Sequence, residues 1–159
     1  TGSWTDYHVS FSWMEDFEAL HLACAFDIKV PEARTLEVMR LLSLINEQML
    51  FGHFDLWEQE GAIMFRQSLL LAGGVEPTSQ QVEVLLSSAL EACECYFPAF
   101  QFVVWSGTSA KDALSSVLFE TQGNAYGLLL VTVRYFNERA PRLPGQPPEE
   151  KTASLPLSP

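Results

Sequence analysis

The chain has 159 residues, 48% of them hydrophobic and 12% aromatic, enough for one domain around one sizeable core and too apolar for a disordered chain. Twenty Asp+Glu against nine Lys+Arg give a formal net charge of -11. That field repels phosphate backbones and anionic headgroups, and the basic residues are scattered, so nucleic acid and membrane surfaces are excluded as expected partners. The three cysteines, Cys24, Cys93 and Cys95, are odd in number and lack a framework spacing. With no signal-peptide pattern and no apolar run of the ~20 residues a bilayer span requires, the chain reads as reduced and cytoplasmic.

Residues 6–13 alternate polar and apolar, with Tyr7, Val9, Phe11 and Trp13 on one side, the period of a half-buried strand. After an acidic turn over 14–17, the alternation resumes with Leu20, Leu22, Cys24, Phe26, Ile28 and Val30. The two runs predict an antiparallel hairpin whose apolar rows both point at helices. Pro31 then changes the period, and Glu32 suits a helix start. Leu36, Met39, Leu42, Ile45 and Met49 follow at helical spacing, Arg34, Glu37, Arg40 and Glu47 line another side, and Gly52 is the expected stop.

A second hairpin is expected from Phe54 and Leu56, a turn at Glu58-Gln59-Glu60-Gly61, and a second arm over Ala62–Ala72, ended by Gly73-Gly74. Thr78 with Gln81 is a capping box opening a helix that Pro98 should kink or end. An apolar run over 100–105 leads to a second box, Ser109 and Asp112, and a short last helix. The order strand, strand, helix, strand, strand, helix, helix predicts an α+β fold with an antiparallel sheet of two hairpins flanked by helices. Residues 124–159 hold six of the nine prolines and are expected to form a divergent, largely disordered tail after a domain over 1–123.

No catalytic, cofactor or metal site assembles from these residues. His8, His21 and His53 lack an accompanying nucleophile elbow, although His8 and His21 could face each other across the first hairpin. Cys93 and Cys95 diverge by about 200° on a helix, Cys93 inward and Cys95 outward, without zinc-ligand spacing. Glu15, Asp16 and Glu18, like Glu58 and Glu60, read as solvated turn acids, and Gly73-Gly74 lacks a phosphate-cradle frame. Aromatic residues exceed what a small core needs. Tyr96, Phe97, Phe100, Phe102, Val103 and Trp105 crowd around Pro98, more than one sheet can cover, so a homodimer is expected with this segment or a strand edge at its interface.

The segments WTDYHVSFSWMEDFEALHLACAFDIKVPEAR, LINEQMLFGHFDLWEQEGAIMFRQSLLLAGG and ALEACECYFPAFQFVVWSG resemble the YbjN domain family, described as bacterial sensory transduction regulators. The resemblance runs from about Trp4 to Gly123. It implies a fold similar to type III secretion chaperones: a curved antiparallel sheet flanked by helices, often dimeric, opened by an N-terminal helix that this chain lacks. That difference implies a natural start further upstream. The family supplies no enzymatic residues. The expected function is a non-enzymatic, chaperone-like or regulatory protein-binding module. The alternative is a small-molecule-binding or hydrolytic domain built on a His/carboxylate pocket. An apolar patch rimmed by acids would favour the first, and converging His and acidic groups the second.

Overall fold

A computed structural model describes residue 2 and residues 4–120, without the side chains of residues 119 and 120. The expected tail, and with it the boundary at 123, lies outside the described residues. The elements are β1 (Tyr7–Met14), β2 (Ala19–Lys29), α1 (Thr35–Asn46), β3 (His53–Trp57), β4 (Ala62–Leu70), α2 (Ser79–Trp105) and α3 (Ala110–Glu120). This is the expected order and the expected α+β class. All neighbouring strands are antiparallel, in the order β1-β2-β4-β3.

Both hairpins turn where the sequence places them. A 3₁₀ turn over Glu15–Phe17 and a left-handed Glu18 join β1 to β2. Gly61 ends the second turn at a φ of +62°, where a Cβ would meet the Val30 carbonyl at 2.8 Å. The Gly61 carbonyl accepts from the Val30 amide at 2.8 Å, so the turn also anchors the far end of β2.

The register makes one face continuous. Tyr7, Val9, Phe11 and Trp13 stand opposite Phe26, Cys24, Leu22 and Leu20, Cys24 opposite Phe65, and Phe54 and Leu56 opposite Phe65 and Ile63. The long α2 crosses this face, where Ser88 donates to the Gln67 side chain at 3.1 Å. Phe26 and Phe54 each lie 5.4 Å, ring centroid to centroid, from Phe100, and Phe97 stands edge-on to Phe26 at 5.4 Å. Such ring pairs add about 0.5–1.5 kcal/mol beyond their buried area. α1 packs on β3, and α3 bridges α1 and α2.

Four expectations are corrected here. α1 buries Val38, Leu41, Leu42 and Ile45, while Leu36 and Met39, expected inside, are exposed. The segment is apolar on nearly every side, so its phase is set by what it packs against. α1 also ends at Asn46, six residues before Gly52, because the Asn46 carboxamide turns to β3. It donates to the Phe54 carbonyl at 3.0 Å and accepts from the Phe54 amide at 2.8 Å. Of the two outcomes expected at Pro98, a kink or an end, the end is corrected: α2 runs through it to Trp105. The proline costs the ladder one amide, but Phe97, Ala99, Phe100, Val103 and Val104 on both sides of it are buried, and that packing outweighs the break. Finally, His8 stands opposite Ala25 and His21 opposite Ser12, so the two histidines do not face each other.

Helix termini use the predicted caps. Thr78 accepts from the Gln81 amide at 3.2 Å while Gln81 accepts from the Thr78 amide at 2.8 Å. Ser109 accepts from the Asp112 amide at 3.2 Å. The charges of α1 form an interhelical bracket instead of a solvated stripe. Arg34 donates to the carbonyls of Val103 and Thr108 at 2.8 and 3.1 Å, and Glu37 accepts from the Ala110 amide at 2.8 Å. A cation thus sits at the C-terminus of α2 and an anion at the N-terminus of α3, each matching the local helix dipole.

Candidate partner-binding edge

Among the described residues the sheet ends in two edge strands, β1 and β3, and the sequence treats them differently. β3 is five residues long, carries Asp55, and has its Phe54 backbone clamped by Asn46. β1 is eight residues long and holds no Lys, Arg, Asp, Glu or Pro. Charge, proline or a covering segment are the usual protections of an edge. β1 stands first in the strand order and pairs with β2 on one side, and among the described residues no strand pairs with its other side.

The alternation of β1 is correct, but its burial departs from expectation. Its apolar row shares a face with the core of β2, yet the helices stop short of it. Val9, Phe11 and Trp13 are 37%, 41% and 51% exposed, against 0% for Cys24 and Leu22 opposite the first two. Between this row and α2 lies a groove of about 720 Å³, lined by Gly2, Tyr7, Val9, Phe11, Leu86, Leu90 and Glu94. Among the described residues Glu94 is its only charged wall. Burial, and then the Glu94 carboxylate beside it, push the Tyr7 hydroxyl well above the ordinary phenol range. The ring is therefore neutral at any physiological pH.

The six residues expected at an interface separate into two groups. Tyr96, Phe97, Phe100 and Val103 are buried in the chain's own core, while Phe102 and Trp105 remain exposed on the outer side of α2. A helix that passes through Pro98 keeps one face against the sheet, and that face takes four of the six. Burial, and then nearby Cys95, push Tyr96 up to about 12.

The cysteines are all unpaired by disulfides. Cys93 is buried as expected, but it meets Cys24 of β2. The hydrogen bond between the two thiols and then burial hold Cys93 far above the usual thiol range. Cys95, placed outward from the sequence, is half-buried, and burial raises its thiol too. Packing of α2 on β2 joins Cys24 to Cys93 across 68 intervening positions, a proximity that no local spacing signals.

The remaining polar cluster lies on the opposite, helix-free face of the sheet. Arg66 donates to Asp55 at 3.1 Å and to His21 Nε2 at 3.3 Å, beside a hollow of about 370 Å³ that also touches His53 and Ser68. Burial, then Arg66 and then His53 lower the His21 pKa. Its basic nitrogen is already occupied by a guanidinium, and the Asp55 carboxylate serves Arg66 and the Leu56 amide. The histidine and carboxylate do converge, as the hydrolytic alternative requires, but Arg66 occupies both of them. Among the described residues no group of three or more His, Cys, Asp or Glu could hold a metal ion. No described helix is long and apolar enough to cross a membrane.

The described residues thus form an antiparallel α+β domain whose sheet carries helices on one face and ends at β1 in an edge strand without Lys, Arg, Asp or Glu. Residues 1–102 match the family model of YbjN, "Putative bacterial sensory transduction regulator", and the chain belongs to the YbjN family. The match ends within α2, short of the Gly123 limit traced in the sequence. No curated protein and no solved structure matches the chain.

Proposed function

We propose that this YbjN-family chain is a non-enzymatic regulatory module of the cytoplasm, chaperone-like in that it binds a polypeptide across β1 and the groove between β1 and α2. The observation that carries this reading is the row Val9, Phe11 and Trp13, exposed on the face that forms the core one strand away. Leaving such side chains in water forgoes about 1.5–3 kcal/mol each relative to full burial. A partner that covers them recovers it. Regulation at the family level agrees with a domain that acts by being occupied. The hydrolytic alternative has less support, since the base and the carboxylate it would use are both engaged by Arg66.

Site-specific photo-crosslinking tests this. A benzophenone amino acid placed at Phe11 in the full chain is expected to trap a defined polypeptide, which mass spectrometry identifies. The same probe at Leu36, exposed on α1, which packs on β3 at the opposite edge of the sheet, is expected to trap it poorly. Equal yields from both positions would remove the reading.

A further inference from the structure

We infer that the partner binds by strand addition: an extended segment pairs with the outer edge of β1, apolar at every second position and basic at both ends. This rests on the partner-binding reading above and specifies its chemistry.

The backbone argues for a strand rather than a helix. An unpaired edge of eight residues presents a row of amides and carbonyls that an added strand satisfies, and adding a strand is a recurrent mode of peptide recognition. β3, the other edge, already has its Phe54 amide and carbonyl taken by Asn46. The side chains fix the alternation. Every second residue of an added strand would continue the Val9–Phe11–Trp13 row over the groove, against Leu86 and Leu90. The intervening residues would lie beside His8, Ser10 and Ser12 on the uncovered face.

Charge fixes the ends. Asp6 precedes β1 and Glu15, Asp16 and Glu18 follow it, while β1 itself holds no Lys, Arg, Asp or Glu. The five basic residues of 1–123, Lys29, Arg34, Arg40, Arg66 and Lys111, all lie on other elements. The groove adds Glu94 and no cation. A segment with Lys or Arg at both ends therefore meets acid at both ends of the strand. Self-pairing is disfavoured by the same arrangement. Two copies joined antiparallel about Ser10 would set Asp6 of each beside the Met14-Glu15-Asp16 end of the other, and like charges across strands repel.

The test uses the full chain and three synthetic peptides of about ten residues, the length that spans β1. One alternates valine and threonine with two arginines at each end. The second carries glutamates in place of the arginines. The third is the first with alternate backbone amides methylated on the edge that would face β1. The first peptide is expected to bind at least about tenfold more tightly than either of the others, to weaken with added salt, and to slow amide exchange within residues 7–14. Phe11→Glu is expected to abolish its binding, with circular dichroism confirming the fold. Ser10→Lys, on the other side of the strand, serves as a second variant that weakens the arginine peptide through like charge.

Equal binding of arginine and glutamate peptides, or no loss on methylation, would overturn the inference. So would sedimentation showing a dimer that Phe11→Glu dissociates, because the occupant would then be a second copy. In each case a selective crosslink from Phe11 would still leave partner binding standing. Loss of that crosslink as well would remove both.

Discussion

Asn46 shows how one side chain can finish an element that the backbone leaves open. Its carboxamide offers one donor and one acceptor in the geometry of a peptide group, and both meet the Phe54 backbone. Each such bond contributes about 0.5–1.5 kcal/mol net. Asn46→Ala is therefore expected to lower the stability read from a urea transition by about 1–3 kcal/mol. Asn46→Asp should lose more than half of this benefit, because a carboxylate still accepts from the amide but repels the carbonyl. Cys24 and Cys93 make a second residue-scale expectation. Both are fully buried, and the raised Cys93 thiol leaves little thiolate to react. A colourless thiol reagent such as dithionitrobenzoate should label neither in the folded chain at neutral pH, and all three cysteines in urea. Rapid labelling of Cys93 without unfolding would contradict the packing of α2 on β2.

At the scale of elements, the bracket joining α1 to α2 and α3 makes a pH-dependent contribution. The Ala110 amide, followed by Arg40 and Arg34 nearby, holds the Glu37 carboxyl below the ordinary carboxylate range. A depressed acid contributes stability above its unfolded pKa of about 4.3 and loses it as pH falls through the lower folded value. The thermal midpoint of the native chain should thus drop below about pH 4. Glu37→Gln should keep the hydrogen bond and flatten that part of the acid limb. Thermal scans at intervals from pH 7 to pH 3 would show it. An identical acid limb in both proteins would mean that Glu37 is no more than a surface charge. The elements also show what was legible beforehand. Strands and turns were readable because period-2 alternation around Leu22, Cys24 and Phe26 has one solution, and because Thr78/Gln81 and Ser109/Asp112 cap by local rules. The phase of α1 was not, since Leu36, Val38, Met39, Leu41, Leu42 and Ile45 supply apolar residues to several faces at once. Pro98 misled for a related reason. A local rule says kink or stop, and that the helix does not stop follows from the burial of Phe97 and Phe100 on either side, which the sheet across from them decides.

The whole molecule decides which apolar residues are structural and which are left to a partner, and here sequence pattern alone fails. Tyr96 to Trp105 reads as surplus, yet four of its large side chains complete the core. The alternation of β1 reads as core, yet most of its row is open. The difference lies in how far α2 extends over the sheet, a tertiary distance with no local signature. It predicts opposite consequences for two phenylalanines. Phe100 is fully buried among Phe26 and Phe54, so Phe100→Ala should cost about 3–5 kcal/mol, the usual toll of removing a core ring. Phe11 already meets water over 41% of its surface, so Phe11→Asp should cost far less, on the order of 1 kcal/mol, while removing the crosslink to a partner from a benzophenone probe placed at Val9. Chemical denaturation of the two variants beside the native chain separates the cases. If Phe11→Asp unfolds the protein as readily as Phe100→Ala, β1 is an essential wall of the core, and its exposed row does not await a partner.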